Sequence, residues 1–148
     1  MDQTDKRILN LLQQNSRISI KKLSEKLFIT APAVSQRLKN LEDEGYIDKF
    51  STQMNLDRIN MKVKAFVQLE VSPGQKKDFY PYIEKIPNVL ECECITGPYS
   101  MLIKVIFEDT KQLDDFINDI HQFGKTNTQI VFSTPVQQRG YRFNVDDK

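Results

Sequence analysis

The segment SIKKLSEKLFITAPAVSQRLKNLEDEG, residues 19–45, decides the reading of this chain. It holds two helical patterns parted by a tight turn. Ser19 is a cap residue, and Ile20, Leu23 and Leu27 follow at helical spacing. Phe28-Ile29-Thr30 interrupts the pattern. Thr30 is a second cap, and Pro32 falls in the first turn of the next helix, where its missing N–H does no harm. Val34, Leu38 and Leu41 then recur at i, i+4 and i+7, and Gly45 suits a left-handed C-terminal cap.

Working outward, Asp2 caps a first helix and Asp5 favours the positive end of its dipole. Ile8, Leu9, Leu11 and Leu12 form its apolar stripe, and Asn15-Ser16-Arg17 breaks it. Tyr46–Gln53 reads as a strand. Three short helices within about 45 residues, then a strand, are the order of a winged helix-turn-helix. With Val34, Leu38 and Leu41 facing inward, Pro32, Gln36 and Lys39 lie opposite. Ser35, Arg37 and Asn40 flank that face, and Ala33 and the capping Thr30 stand at its start. Gln and Asn pair with adenine edges, Ala touches a thymine methyl, and Ser, Lys and Arg hold phosphates. Arg17, Lys21 and Lys22 precede and begin the second helix, whose N-terminal end commonly faces the DNA backbone.

The net charge of the 148 residues is only +1, yet its distribution is uneven. Arg17–Lys39 carries six basic residues against one acid, whereas residues 59–148 carry eleven against twelve. A concentrated positive stretch on a balanced chain is the footprint of a polyanion partner, or a solvated helix face. The helix-turn-helix order favours double-stranded DNA.

The second half changes period. Lys62–Val71 alternates as a strand, and Pro73-Gly74 turns the chain. Phe79, Tyr82, Ile83 and Ile86 mark a helix that Pro87 ends. Val89–Thr96 and Met101–Phe107 are strands joined by Gly97-Pro98-Tyr99-Ser100. Leu113, Phe116, Ile117 and Ile120 mark another helix, and Thr128–Thr134 a last strand. The order β-α-β-β-α-β is the ferredoxin-like pattern. Overall the fold class is α+β: a winged helix-turn-helix over 1–53, a hinge over 54–61 and a ferredoxin-like domain over 62–148. Two helices cover one sheet face, yet Phe66, Ile95, Leu102 and Ile106 fall on the other, which implies self-association into at least a dimer. The polar tail after Pro135 has no assigned structure.

The sequence lacks the patterns of an enzyme or metalloprotein. His121 has no companion at metal spacing, and Cys92 and Cys94 read as a buried structural pair. No phosphate loop, dinucleotide fingerprint or nucleophile elbow occurs, and Asp114-Asp115 and Asp146-Asp147 read as a helix face and a tail. No cofactor is expected. No apolar run approaches the roughly 20 residues that cross a bilayer, so no membrane role is expected. A cytoplasmic, nucleoid-associated location follows.

Asp2–Leu9, Asn15–Ser19 and Val34–Ile47 resemble the opening, the helix-two approach and the recognition helix of the Lrp/AsnC family of regulators. Ile95–Ser100 resembles the hairpin of that family's ligand-sensing domain. The resemblance implies dimers paired through their sheets and assembled further, often to an octamer. It also implies an amino acid or related metabolite as effector, near Thr96, Gly97, Tyr99 and Ser100, with Gln129 and Ser133 as weaker candidates. Two positions depart from the family. Phe28 stands where the turn often has glycine, and strain at a positive φ predicts a rebuilt turn. Ser100 replaces the acid of Gly-x-Tyr-Asp, which removes a partner for an amino group. Two readings follow: a sequence-specific regulator with an effector, and an architectural DNA-wrapping protein without one. A metabolic enzyme or ligand carrier built on the ferredoxin-like half would leave the basic half unexplained.

Overall fold

A computed structural model describes residues 1–145. Asp146-Asp147, read above as a tail, lie outside the described residues. The chain divides into two compact units, one of Met1–Gln53 with Val136–Lys148 and one of Met54–Pro135.

The first unit is built on α1 (Gln3–Gln14), α2 (Ile20–Leu27) and α3 (Ala31–Asp43). Each helix begins on the cap read from the sequence. Asp2 accepts from the Asp5 N–H, and Asp5 returns the bond to the Asp2 N–H, forming a reciprocal cap. Ser19 accepts from Lys22, and Thr30 from Ala33. Ile8, Leu9, Leu23, Leu27, Val34 and Leu41 form the core, with Ile29, Leu38 and Ile47 packed against it. Gly45 adopts φ +74, as its capping role requires.

Three expectations for this unit are corrected. Phe28 does not force a rebuilt turn: it adopts the left-handed conformation itself, φ 56 and ψ 40. The N–H groups of Phe28 and Ile29 both reach the Ser24 carbonyl, so the chain doubles back and seats Ile29 against the core. Tyr46–Gln53 forms no strand. Tyr46 and Ile47 instead donate to the Leu41 carbonyl, and among the described residues no second strand lies in this unit to pair with the segment. The tail, finally, packs on α1 within its described part, residues 136–145. Asn10, the one buried polar side chain among the described residues, donates to the Phe143 carbonyl and accepts from the Phe143 N–H, each at 2.9 Å. Gln13 donates to the Tyr141 carbonyl at 2.6 Å, and the Tyr141 and Phe143 rings meet edge to face. Residues 136–145 thus belong with α1, not with the sheet domain.

The second unit is a sheet with two helices. Its elements are β1 (Val63–Leu69), α4 (Lys76–Glu84), β2 (Val89–Cys94), β3 (Met101–Phe107), α5 (Thr110–Ile120) and β4 (Thr126–Ile130). The strand order is β2-β3-β1-β4, every neighbour antiparallel. Ala65, Val67 and Leu69 alternate onto one face with Met101, Ile103 and Val105, and Phe79, Ile83, Leu113, Phe116 and Ile120 close the core over them. Phe66 pairs with Lys104 and Gln129 across the sheet, and with Leu102 it projects from the face opposite that core. The last strand starts two residues earlier than expected, because α5 runs into a short 3-10 turn, His121–Phe123, and Gly124 releases the chain at φ 153. The expected hinge carries its own 3-10 turn, Asp57–Ile59. Cys92 and Cys94 are not a buried pair: Cys92 is half-buried against the core and Cys94 is exposed. Among the described residues no cluster of metal-ligating side chains occurs, and no helix is long and apolar enough to cross a membrane.

Candidate nucleic-acid interface and effector site

The outer face of α3 is set by what the inner face buries. Val34 and Leu41 are buried and Leu38 is packed against the core, so Pro32, Ser35, Gln36, Lys39 and Asn40 are left exposed. Gln36 and Asn40, one turn apart, are joined by a 2.9 Å bond from Gln36 Nε2 to Asn40 Oδ1. That bond fixes a continuous amide edge with donors and an acceptor still free, the chemistry that reads adenine. Ser35 Oγ donates to the Ala31 carbonyl. Ala33 is half-buried, and Thr30 is exposed and occupied in capping.

On α2 and before it, Arg17, Lys21 and Lys22 are exposed. None of these three cations, nor Lys39, forms an ion pair among the described residues. Their charge is available to phosphates.

Arg37 is placed differently. Its Nη1 donates to Asp2 Oδ2 and to Asp5 Oδ1, both at 2.7 Å. The guanidinium pins the middle of α3 to the start of α1, and both carboxylates hold its pKa above the usual arginine value. Asp2 is pushed below the ordinary carboxylate value, first by the Asp5 N–H and then by Arg37. Sequence reasoning placed Arg37 on the DNA face because it flanks Gln36; it did not link Asp2 and Asp5, some 30 residues away, to the same side chain.

In the second unit the hairpin closes through the Ile95 N–H on the Ser100 carbonyl. Thr96 and Gly97 are exposed, and Tyr99 and Ser100 half-buried. Ser100 is fully engaged by its own chain: its N–H reaches the Leu69 carbonyl, its hydroxyl accepts from the Val71 N–H at 2.9 Å and donates to the Val71 carbonyl at 3.0 Å. It ties the hairpin to the end of β1. Gln129 and Ser133 are exposed. Gln129 stands opposite Phe66 on the far edge strand and shares Gln68 Oε1 with Asn127. The structure groups Thr96, Gly97, Tyr99 and Ser100 in one hairpin but sets Gln129 and Ser133 apart from them. His121 sits at a helix end, bonded to Thr126 Oγ1 at 2.7 Å.

Comparison with known proteins agrees with both units. Residues 1–48 match the family model for winged helix-turn-helix DNA-binding, and residues 64–141 match that for the Lrp/AsnC ligand binding domain. The uncharacterized HTH-type transcriptional regulator YezC of Bacillus subtilis is 34% identical, covering 90% of this chain and 95% of the relative. The HTH-type transcriptional regulator LrpC of the same organism is 29% identical over 90% of this chain and 92% of its own. The solved LrpC structure superposes with a TM-score of 0.89 at 28% identity, covering 93% of this chain and 99% of that one. A transcriptional regulator of Neisseria meningitidis, solved as its L-Met complex, reaches 0.88 at 26% identity over 93% of each chain. With its helix-turn-helix and its ligand-binding domain in that order, this chain belongs to the Lrp/AsnC family of DNA-binding transcriptional regulators.

Proposed function

We propose that the chain is a sequence-specific regulator that reads duplex DNA through the outer face of α3 and responds to a small molecule through its sheet domain. The observation that carries the first part is the exposed amide edge of Gln36 and Asn40. Ser35 and Lys39 beside it, and Arg17, Lys21 and Lys22 on the neighbouring segment, serve phosphates. Thr30, Pro32 and Ala33 shape the entering end of the helix. Arg37 acts one step back, by fixing the angle of α3 against α1.

Self-association is part of the proposal. The helix-free face of the sheet carries Phe66, Leu102 and Ile106, and a second copy covers such a face most simply, giving a dimer that assembles further. Ile106 is already buried within one chain, so Phe66 and Leu102 carry the apolar contact. The effector is an amino acid or related metabolite held near Thr96, Gly97 and Tyr99, and the protein catalyses no reaction and works in the cytoplasm. A relative of known structure binds L-methionine, which supports this class of ligand.

A second reading, an architectural DNA-wrapping protein without a physiological effector, is favoured by Ser100. The hydroxyl carries no charge for an amino group and is spent on Val71. Two experiments separate the readings. Selection from a random duplex pool yields a shared motif for a regulator and unrelated sequences for a wrapping protein. Titration with a panel of amino acids, following heat and oligomer size, gives a response to at least one for a regulator and none for a wrapping protein.

A further inference from the structure

We propose that Phe28 is a specificity-determining DNA contact, an apolar ring held out beside the entering end of α3 to meet thymine methyl groups. The inference rests on the reading of α3 as the recognition helix and adds to it a residue from the turn.

The conformation of Phe28 is imposed by its neighbours. Ile29 must turn inward to the core and Thr30 must cap α3, so residue 28 takes φ 56 with its N–H on Ser24. A side chain in that region crowds its own backbone, and glycine would hold the same turn without the crowding. Phe28 recovers little side-chain packing from the rest of the unit. The residue is 88% exposed, belongs to neither core cluster, and its ring meets no other aromatic ring among the described residues. A strained backbone bearing an unpacked aromatic points to a task outside the fold.

Its position names the task. Phe28 lies two residues before the cap of α3, and the N-terminal end of a recognition helix is the end that meets base edges. Thr30, Ala31 and Pro32 are exposed at that end, with Lys21 and Lys22 on the preceding helix. The surroundings are thus fit for a duplex, and the one base feature an apolar ring recognises in the major groove is the thymine methyl.

The test uses the full chain and duplexes that the wild-type protein selects from a random pool, with a scrambled duplex as control. Phe28→Gly raises the thermal midpoint by removing strain, yet weakens binding to the selected duplex roughly fivefold, the equivalent of about 1 kcal/mol of lost apolar contact. Phe28→Ala weakens it similarly, and Phe28→Leu, which keeps apolar bulk, stays within about twofold of wild type. Scrambled-duplex affinity and the salt slope stay unchanged, because no cation is altered. Gln36→Ala runs alongside. If it weakens binding while Phe28→Gly and Phe28→Ala bind as wild type, the proposal is overturned alone. If neither position matters, the reading of α3 falls with it. Equal loss on both duplexes, or a changed oligomer size in place of changed affinity, also overturns it.

Discussion

Replacing Arg37 by methionine keeps the aliphatic stem and removes the charge that joins α3 to α1. Two charge-assisted bonds of 2.7 Å are lost. They are not equal. The side chain of Asp5 is 14% exposed and that of Asp2 54% exposed, with Arg37 itself at 34%. The Asp2 arm behaves as a surface pair, on the order of 0.5 kcal/mol. The sheltered Asp5 arm contributes about 1–2 kcal/mol. Together they predict about 2 kcal/mol, which lowers the midpoint of a unit this small by on the order of 10 °C. Urea and thermal unfolding of the full chain, followed by circular dichroism, read the change. A double-mutant cycle with Asp5→Asn gives a coupling of about 1 kcal/mol or more. The pH dependence adds a check. Asp2 is depressed below the ordinary 3.8 of an aspartate, so its contribution is present above that value and fades as pH falls through the lowered one. The Asp5 N–H, the larger cause of that shift, is kept in both proteins, and only the smaller Arg37 contribution is lost, so the gap between wild type and Arg37→Met narrows only slightly in acid. A gap under about 0.5 kcal/mol at neutral pH would refute the clamp.

Asn10→Ala strands the Phe143 amide and carbonyl, so it destabilises the first unit by about 1–3 kcal/mol and raises proteolysis of residues 136–145; unchanged protection would contradict the packed tail. Ser100→Ala removes the bonds to Val71 and lowers stability by about 1–2 kcal/mol, read by the unfolding midpoint of the sheet domain, while Tyr99→Phe leaves it within about 0.5 kcal/mol. Burial, and next the charge of Glu93, push the Cys92 thiol up to about 11, so an alkylating agent near neutral pH modifies the exposed Cys94 and spares Cys92; equal labelling would show the β2 edge to be open.

What the sequence disclosed was local. Caps Asp2, Ser19 and Thr30, the stop at Gly45 and the alternation of Val63–Leu69 are short-range signals, and each is found where the pattern places it. The outward set on α3 followed from helix geometry alone. The features that escaped depend on distant partners. The bonds of Arg37 to Asp2 and Asp5 and of Asn10 to Phe143 span 35, 32 and 133 residues, and no periodicity encodes them. Phe28 was legible as a problem but not as a solution: side-chain size argues against a left-handed residue, whereas the inward pull of Ile29 overrides it. The alternating rings of Tyr141 and Phe143 were the one signal that the tail packs. For Ser100, composition showed the missing carboxylate, and only the structure showed that the hydroxyl holds Val71.

Regulation by this protein requires the outer face of α3 to enter the groove. Equilibrium binding of Gln36→Ala and Lys39→Ala to the selected duplex, measured over a range of salt, addresses that face directly. Gln36→Ala is expected to lose about 1–3 kcal/mol on the selected duplex with little change on a scrambled one, and Lys39→Ala to weaken both and reduce the salt slope by about one. Wild-type affinity and slope for both variants, with the fold intact, would contradict it.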